Sequence, residues 1–395
     1  MITLKGNYNS AIIYTDDLES KAAAQIEELC NQQFCQGRTI RIMPDVHAGA
    51  GCTIGTTMTV QDKVVPNLVG VDIGCGMEVI VLEEHKLDPV KLDTVIQRMI
   101  PSGFDIRDHE HEYASLIDFA ALKCKKHLKI SRARLSIGTL GGGNHFIEAN
   151  IDGQGNLYLV VHSGSRYLGK QVAEYYQDLA FTTLDDTNQR KQDLIKALKQ
   201  QGRKKDIEKE LKKMPSSRVS KNLAYLEGDN FRDYINDMAI VQYYASCNRR
   251  AIIDEITANM GIKIRDRFST IHNYIDLNNM ILRKGAISAQ KGERVIIPMN
   301  MRDGSLIAIG KGNPEWNYSA PHGAGRLMSR STAFKSVNLE EFEASMQGIY
   351  STTVNARTLD ESPMAYKPME NIIANTGETI EVVSIIKPIY NFKSA

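Results

Sequence analysis

Residues 68–82 read "LVGVDIGCGMEVIVL", a glycine-broken turn followed by a run that is apolar except for Glu78. Short β-branched runs that are cut by glycine are typical of buried strands joined by tight turns. The same texture covers residues 38–60, 138–151 and 157–169, and it returns after residue 261. The sequence therefore predicts several buried strands arranged in mixed β-sheets.

Helical patterns lie between these strand-like stretches. Apolar residues at helical spacing predict helices over residues 17–36, 90–100 and 110–128. The segment "DGQGN", residues 152–156, separates two strand-like runs and predicts a hairpin turn. Strands and helices in this mixture place the chain in the α+β class, with helices around a central cleft between the sheets.

Residues 168–260 are long, polar and poor in glycine, and predict a helical excursion. Because chemistry-bearing stretches lie on both sides of it, we expect one domain over residues 1–395. Between Arg190 and Arg218 there are eleven Lys/Arg and four Asp/Glu residues. Such a run is usually a solvated helical face, and the alternative is an arm that faces RNA or a protein partner.

The composition bounds the classes of partner. The chain has 395 residues and a net charge of +1, so any nucleic-acid site must be a local patch. No signal-peptide pattern and no run of 18 apolar residues occurs, so we expect a cytoplasmic protein without a membrane span. The six cysteines show no framework spacing, which predicts reduced thiols.

The nine histidines form two groups. Four lie in charged stretches and are expected to be solvated, namely His85, His109, His111 and His127. The other five lie close to glycine or asparagine, namely His47, His145, His162, His272 and His322. Several of these five follow apolar strand-like runs directly, where a fold aims side chains into a cleft.

Asp72 and Cys75 lie three residues apart in the opening turn, which could point both side chains at one ion. Carboxylate, thiolate and imidazole ligands together suit a divalent transition metal, zinc or manganese, better than magnesium or calcium. A single buried cysteine is more often a small hydrophobe than a ligand. Asp72 and Cys75 indicate a metal site only in combination with the five histidines.

Polar residues that suit phosphate binding accompany the histidines. They are Asn144, Ser163, Ser165, Arg166, Asn273 and Arg326. Gly323 and Gly325 follow His322 and leave room for a bulky anion. No GxxxxGK[ST] loop is present, so a bound nucleotide would not be held by that common route.

Several motifs together resemble the RtcB family of GTP- and manganese-dependent RNA ligases. They are "MPDVHAGAG" (43–51), "VDIGCGM" (71–77), "GGGNHFIE" (141–148), "HSGSRYLG" (162–169), "SAPHGAGRLMSR" (319–330) and "AYK" (365–367). The resemblance runs from about residue 38 to the last few residues and is weakest at 170–260. It implies the RtcB fold and joining of an RNA 3′-phosphate or 2′,3′-cyclic phosphate to a 5′-hydroxyl, in tRNA splicing or RNA repair.

The resemblance also implies roles for individual residues. His322 would carry a covalent guanylate and Asp45 would be needed for activity. Two manganese ions, or another divalent transition metal, would be held by Asp72, Cys75, His145, His162 and His272, with Cys75 shared. The guanylate of GTP would contact Asn144, His145, Phe146, Ile147, Glu148, His272, Asn273, Pro298, Met299, Asn300, Met301, Ser305, His322, Gly323, Ala324, Gly325 and Lys393. RNA phosphate would meet Arg166 and Arg326, and archease is implied as a possible partner protein.

The sequence departs from the family pattern in the guanylate loop. "PMNMRDGS", residues 298–305, keeps Pro298, Met301 and Ser305 but lacks two glycines of the usual pattern. Met299 and Arg302 disfavour positive φ, so the loop is expected to adopt a different path. Two alternatives to ligation remain open from the sequence: a metal-dependent phosphoesterase on RNA ends, and a non-catalytic RNA-end binder.

Overall fold

The computed structural model describes residues 1–185, 187–214 and 220–394, and it has an α+β fold, as predicted. The strands, in chain order, are β1 (Ile2–Lys5), β2 (Ser10–Ile13), β3 (Ile40–His47), β4 (Ile54–Thr59), β5 (Lys63–Val64), β6 (Gly76–Leu82), β7 (Phe146–Ile151), β8 (Leu157–Ser163), β9 (Leu226–Glu227), β10 (Ile264–Ile271), β11 (Asn273–Asp276), β12 (Ile281–Lys284), β13 (Ala286–Ser288), β14 (Arg294–Asn300), β15 (Gly304–Gly310), β16 (Ser319–Pro321) and β17 (Ile380–Lys393).

Helices lie between and around the strands. They are α1 (Ser20–Cys30), α2 (Pro89–Met99), α3 (Ile130–Leu135), α4 (Arg166–Leu184), α5 (Thr187–Gln200), α6 (Ile207–Lys213), α7 (Gly228–Met260), α8 (Arg330–Ser336), α9 (Leu339–Ser345) and α10 (Met369–Thr376). The helix predicted over 90–100 is confirmed as α2. The helix predicted over 17–36 is shorter, because α1 ends at Cys30 and only a 3-10 turn follows at Gln33–Cys35.

Two mixed or antiparallel sheets form the body of the fold. One has the strand order β1-β2-β3-β4-β12-β11, and the other has the order β10-β6-β8-β7-β17-β15-β14. The pair β2–β3 is parallel, and the other pairs in the first sheet are antiparallel. The predicted hairpin is confirmed: β7 and β8 pair antiparallel on either side of residues 152–156.

The helix predicted over residues 110–128 is wrong, since this segment holds only the 3-10 turns Glu112–Leu116 and Lys125–His127. The Asp118 carboxylate accepts the backbone N–H groups of Ala120 and Ala121 and closes a local turn. Such local side-chain acceptors compete with helical hydrogen bonds. Buried Asp237 on α7 then takes two further backbone N–H groups, at residues 123 and 124. Tertiary contacts from α7 thus override the helical pattern.

The predicted helical excursion contains two kinds of helix. Buried residues of α4 and α7 belong to the largest apolar core of the protein, as Val172 and Val241 illustrate. Helices α5 and α6 carry the basic run instead, and exposed ion pairs such as Lys212–Glu208 and Lys213–Glu210 lie along α6. The ion pairs favour a solvated face for this part of the run, although Arg218 lies outside the described residues. The single-domain organisation stays a prediction.

Two global expectations bear on the environment of the chain. All six cysteines lie within the described residues, where they are buried and form no disulfide. Among the helices that the structure describes, none combines the length and the apolar character that crossing a bilayer requires.

Candidate metal and nucleotide site

Four neighbouring strands each bring one side chain to the same end of the second sheet. Cys75 immediately precedes β6, His145 precedes β7, His162 lies near the end of β8, and His272 follows β10. These strands pair in the order β10-β6-β8-β7, and His162 lies opposite both Met77 and Phe146. Because neighbouring antiparallel strands run in opposite directions, the starts of β6 and β7 meet the ends of β8 and β10.

The Cys75 thiol lies at the centre of this cluster. Its Sγ is 3.5 Å from His145 Nε2 and 3.3 Å from His162 Nε2. Ligand atoms of Cys75, His162 and His272 lie within 4.8 Å of one another, and so do those of Asp72, Cys75 and His145. Cys75 is therefore common to two groups of three potential ligands.

Surrounding hydrogen bonds orient the ligand atoms toward the thiol. His145 Nδ1 lies 2.8 Å from the Leu140 carbonyl oxygen, and His162 Nδ1 lies 3.0 Å from the Asn144 carbonyl oxygen. A carbonyl can only accept, so both Nδ1 atoms carry hydrogen, and neutral His162 directs its Nε2 lone pair at Cys75. His145 Nε2 lies between Cys75 Sγ and Asp72 Oδ2. Such a backbone contact to the second imidazole nitrogen is typical of metal-binding histidines.

Two of the imidazole ligands are neutral in the free site, whereas the Cys75 thiol stays protonated until a metal displaces its proton. Burial lowers the pKa of His162 and of His272 well below the ordinary value, so both imidazoles are neutral near pH 7. Burial and the adjacent Asp72 carboxylate raise the pKa of the Cys75 thiol. Burial opposes ionisation of Asp72, but the hydrogen bond and charge of His145 outweigh it and lower the pKa of this carboxyl.

The residues present fit a divalent transition metal. His272 Nδ1 is buried without a hydrogen-bond partner, which is costly unless a ligand satisfies it. One thiol, three imidazoles and one carboxylate form a donor set suited to zinc or manganese. Asp72 keeps one oxygen beside His145, while its other oxygen accepts hydrogen bonds from the backbone N–H and hydroxyl of Ser165.

Two buried polar residues on α7, Asn248 and Arg249, hydrogen-bond to the backbone of the turns that carry the ligands. Asn248 Oδ1 accepts the backbone N–H groups of Gly138 and Thr139, and its Nδ2 donates to Gly164 O at 3.1 Å. Arg249 Nη1 donates to Gly74 O at 2.7 Å and to Ser163 O at 3.0 Å. Neither residue was predicted from the sequence, where the available signal was the polar run "NRR", residues 248–250, within the helix.

His322 lies beside the cluster, directly after β16, and its ring centroid is 4.8 Å from that of His272. Fully buried Asp45 on β3 accepts both the His322 backbone N–H, at 3.1 Å, and Nδ1–H, at 2.7 Å. With its Nδ1 hydrogen donated, His322 leaves the Nε2 lone pair free as a nucleophile. The side chain is 19% exposed and so is reachable by a ligand.

A glycine after His322 is required by this arrangement. Gly325 has φ +72°, and a Cβ there would lie 2.7 Å from the Asp45 backbone oxygen. The "HGAG" segment can therefore pack on the backbone of Asp45 only because residue 325 has no side chain.

A cavity adjoins His322, and most residues expected to contact guanylate line it. They are Asn144, Phe146, Glu148, His272, Asn273, Pro298, Met299, Asn300, Met301, Ser305, His322, Gly323, Ala324, Gly325 and Lys393. His145 faces Cys75 instead, and Ile147 points into the apolar core on the other face of β7. The Ser305 hydroxyl is buried without a partner, so a ligand in the cavity could satisfy it.

The segment 298–305, expected from the resemblance to contact guanylate, closes the β14–β15 hairpin. Asn300 Oδ1 accepts the backbone N–H groups of Arg302 and Asp303, at 3.0 and 2.9 Å. The positive φ that the turn needs, +85°, falls on Gly304. Met299 is buried in an apolar cluster that forms part of the cavity wall. Neither Met299 nor Arg302 is forced into the left-handed region.

A buried carboxylate at the cavity wall is a further site residue that the sequence analysis missed. Glu361 pairs with the Lys393 ammonium and with Arg330, whose Nη1 lies 2.6 Å from Glu361 Oε1. Burial opposes its ionisation, but Lys393 and Arg330 outweigh burial and lower the pKa of Glu361 to about 2. The available signal was the acidic pair "DE" that precedes the "AYK" motif.

The two arginines expected at RNA phosphate make contacts within the protein. Arg326 donates to the Met328 and Asp360 carbonyl oxygens and to the Tyr366 hydroxyl. Arg166 donates to Thr139 Oγ1 at 3.0 Å and to Gly103 O at 2.9 Å. Arg326 thus anchors the segment after His322, whereas Arg166 borders the metal-ligand cluster.

The other candidate histidines lie apart from the cluster of ligands. His47 lines the cavity, and its Nδ1 lies 3.1 Å from the Asp45 carbonyl oxygen. The four histidines expected to be solvated are exposed, apart from half-buried His111.

Glu148 makes stability depend on pH. Burial raises its pKa to about 7, although the Asn391 amide, at 2.7 Å, opposes this shift. The stability that the protonated form contributes is present below pH 4.5, the ordinary value, and is lost as pH rises through 7. The loss of stability is roughly 3 kcal/mol.

We expect Glu148→Gln to remove this part of the decline in the free energy of unfolding, measured with urea between pH 5 and pH 8. Exposed Glu381→Gln should retain the decline. An unchanged pH dependence in Glu148→Gln would contradict this assignment.

Comparison with known proteins places the chain in a family. The family profile described as "tRNA-splicing ligase RtcB" matches residues 25–120 and 107–394. The "RNA-splicing ligase RtcB" of Escherichia coli strain K12 is 30% identical over 412 residues, which cover 94% of each protein. The "tRNA-splicing ligase RtcB" of Aeropyrum pernix is 26% identical over 478 residues, which cover 96% of this chain and 94% of the relative. With a profile match over most of its length and relatives of the same extent, the chain belongs to the RtcB family.

Proposed function

We propose that the protein is an RNA ligase that joins RNA 3′-phosphate or 2′,3′-cyclic phosphate ends to 5′-hydroxyl ends through a guanylate on His322. The single observation that supports this best is the position of His322. It is held by buried Asp45, lies beside His272 of the ligand cluster, and lines a cavity that a nucleotide could enter.

The first step is nucleotide transfer to the protein. His322 Nε2 attacks the α-phosphorus of GTP, a P–N bond forms, and the P–O bond to pyrophosphate breaks. Asp45 holds the Nδ1 hydrogen and stabilises the positive charge that develops on the ring. The Asp45 carboxylate also accepts the backbone N–H of His322. This second hydrogen bond fixes the direction from which the ring approaches the phosphorus.

The cavity supplies contacts for the rest of the nucleotide. Lys393 and Arg330 offer positive charge, and Glu361 positions both of them. Glu148, Asn144 and Ser305 offer polar atoms suited to a base and a ribose. The metal set proposed is two manganese ions, one held by Asp72, Cys75 and His145 and the other by Cys75, His162 and His272. When bound, such ions would neutralise phosphate charge and activate the attacking group.

Both RNA steps start from the guanylate on His322. A 2′,3′-cyclic phosphate is first opened by water to a 3′-phosphate. An oxygen of the RNA 3′-phosphate then attacks the phosphorus of the guanylate, the P–N bond to His322 breaks, and an activated RNA end forms. A 5′-hydroxyl then displaces GMP and closes the phosphodiester bond. The substrates proposed are tRNA or cleaved structured RNA, with archease as a possible partner and the cytoplasm as the location.

A ligation assay separates the proposal from its alternatives. With a 3′-phosphate RNA, a 5′-hydroxyl RNA, GTP and manganese, we expect a joined product that His322→Ala cannot form and that ATP does not support. Release of inorganic phosphate without joining would instead indicate a phosphoesterase. RNA binding without either reaction would indicate an RNA-end binder.

A further inference from the structure

A tight turn beside the metal-ligand cluster presents a phenylalanine to solvent. Phe104 is 93% exposed, the highest value among the exposed large apolar side chains of the described residues. The turn is fixed to the loop that leads to His145, because Gly103 N donates to Gly141 O at 2.9 Å and Ser102 forms a β-bridge with Gly141.

Two guanidinium groups hold this turn in place. Arg166 Nη2 donates to Gly103 O at 2.9 Å, and Arg132 Nη2 donates to Phe104 O at 2.8 Å. Arg166 itself has φ +56°, a conformation that is unusual outside glycine and clusters at functional sites. A Cβ on Gly141 would overlap the Arg166 guanidinium and lie 2.8 Å from His145 Nδ1. Arg166 and His145 are therefore neighbours across this glycine.

The exposed surface continues from the turn along α3 and the start of α4. Tyr167 is 39% exposed, and the Lys129 ammonium lies 5.9 Å above its ring. We name this surface the Phe104 face, and it comprises Phe104, Lys129, Arg132, Arg166 and Tyr167. One carboxylate, Asp105, follows Phe104 on the same turn.

Exposed aromatic rings among cations are the features by which proteins hold single-stranded nucleic acid. Bases stack on the rings, and the cations meet the phosphates without reading sequence. The Phe104 face offers both kinds of contact, with three cations on it and one carboxylate beside it. The Phe104 face is also a local basic patch of the kind that a chain with a net charge of only +1 would need in order to bind RNA.

We propose that the Phe104 face binds the RNA strand that carries the 5′-hydroxyl, with its terminal base stacked on Phe104. This inference rests on the proposed function. The rings of His145, His162, His272 and His322 follow one another at centroid distances of 5.3, 5.2 and 4.8 Å. The Phe104 face adjoins the His145 end of this row, whereas the guanylate cavity is lined by His162, His272 and His322 but not by His145.

The direction of the last reaction step assigns the strand. The 5′-oxygen forms a bond to the 3′-phosphorus, the bond from that phosphorus to GMP breaks, and the hydroxyl proton passes to water. In phosphoryl transfer the attacking and leaving oxygens lie roughly in line. Because GMP leaves toward the His322 end, the 5′-hydroxyl must enter from the His145 end, where Phe104 lies.

A fluorescent base tests this placement. The probe is a 5′-hydroxyl RNA with 2-aminopurine as its first nucleotide, mixed with the full chain. We expect quenching on binding to the wild type and to Phe104→Tyr, whereas Phe104→Ala loses the quenching and binds about tenfold more weakly. Tyr8→Ala removes an aromatic ring of 45% exposure near the first hairpin and serves as the matched control, with wild-type behaviour expected.

Two results would overturn the inference. One is wild-type quenching and affinity in Phe104→Ala. The other is quenching through Phe104 of 2-aminopurine placed at the end of a 3′-phosphate strand instead. Labelling of the protein by GTP, measured in the same samples, reports separately on the proposed function, because it requires no RNA.

Discussion

Replacing Cys75 with alanine is expected to abolish ligation, because its thiol is common to both ligand groups. Loss of a residue that merely supports a metal ligand costs about 10- to 100-fold in metal affinity. Loss of the shared ligand itself should cost more than that for both ions. Titration with Co²⁺, which develops a thiolate absorption band, should show two bound ions in the wild type and neither ion at matched concentrations in Cys75→Ala.

A cysteine of similar burial provides the control. Cys35 lies in the apolar core next to Met58 and away from the cluster. Cys35→Ala should lower stability slightly and leave cobalt binding and ligation intact. Retention of two tightly bound ions in a folded Cys75→Ala protein would remove the thiol from the centre of the site.

Asp45→Asn should slow guanylate transfer by a factor of about 10⁴, the loss seen when a carboxylate that orients a catalytic histidine is replaced by its amide. The amide lacks the negative charge that favours the developing imidazolium. It would also place an N–H₂ group either against His322 or at the position of Asp45 Oδ1, which is buried without a partner. Single-turnover labelling with GTP measures the rate.

Metal binding distinguishes Asp45→Asn from Cys75→Ala. Asp45→Asn should still bind two cobalt ions, since Asp45 belongs to neither ligand group. Asp62→Asn, which alters an aspartate that is exposed and paired with Arg38, is the matched control and should label at the wild-type rate. Normal labelling of Asp45→Asn would show that the carboxylate does not orient His322.

Residues at the ends of glycine-bounded strands were predictable from the sequence. Strand pairing then explains why distant positions such as Cys75 and His272 meet, because β6 and β10 are neighbours that run in opposite directions. Lys393 shows the limit of that reasoning. Residue type alone suggests a lysine in a frayed tail, and only the family resemblance predicted a ligand contact. In the structure it is buried on β17 and paired with Glu361.

Other features depend on contacts that sequence patterns do not encode. Asn248 and Arg249 are buried polar residues of a long helix, and they hydrogen-bond to the backbone of the ligand-bearing turns. No sequence motif marks this role. The segment 110–128 has a helical pattern, but Asp237 captures its backbone N–H groups from a position more than a hundred residues away. Long-range hydrogen bonds of this kind decide local structure only once the fold has formed.

The central claim is that His322 becomes covalently guanylylated. The most direct measurement is tandem mass spectrometry of the protein after incubation with GTP and manganese, followed by digestion at neutral or alkaline pH, at which a phosphoramidate survives. We expect a guanylate on the peptide that contains His322, absent from Asp45→Asn at short times and from His322→Gln at all times. A guanylate on another residue, or an unmodified wild-type protein that nevertheless ligates RNA, would contradict the account.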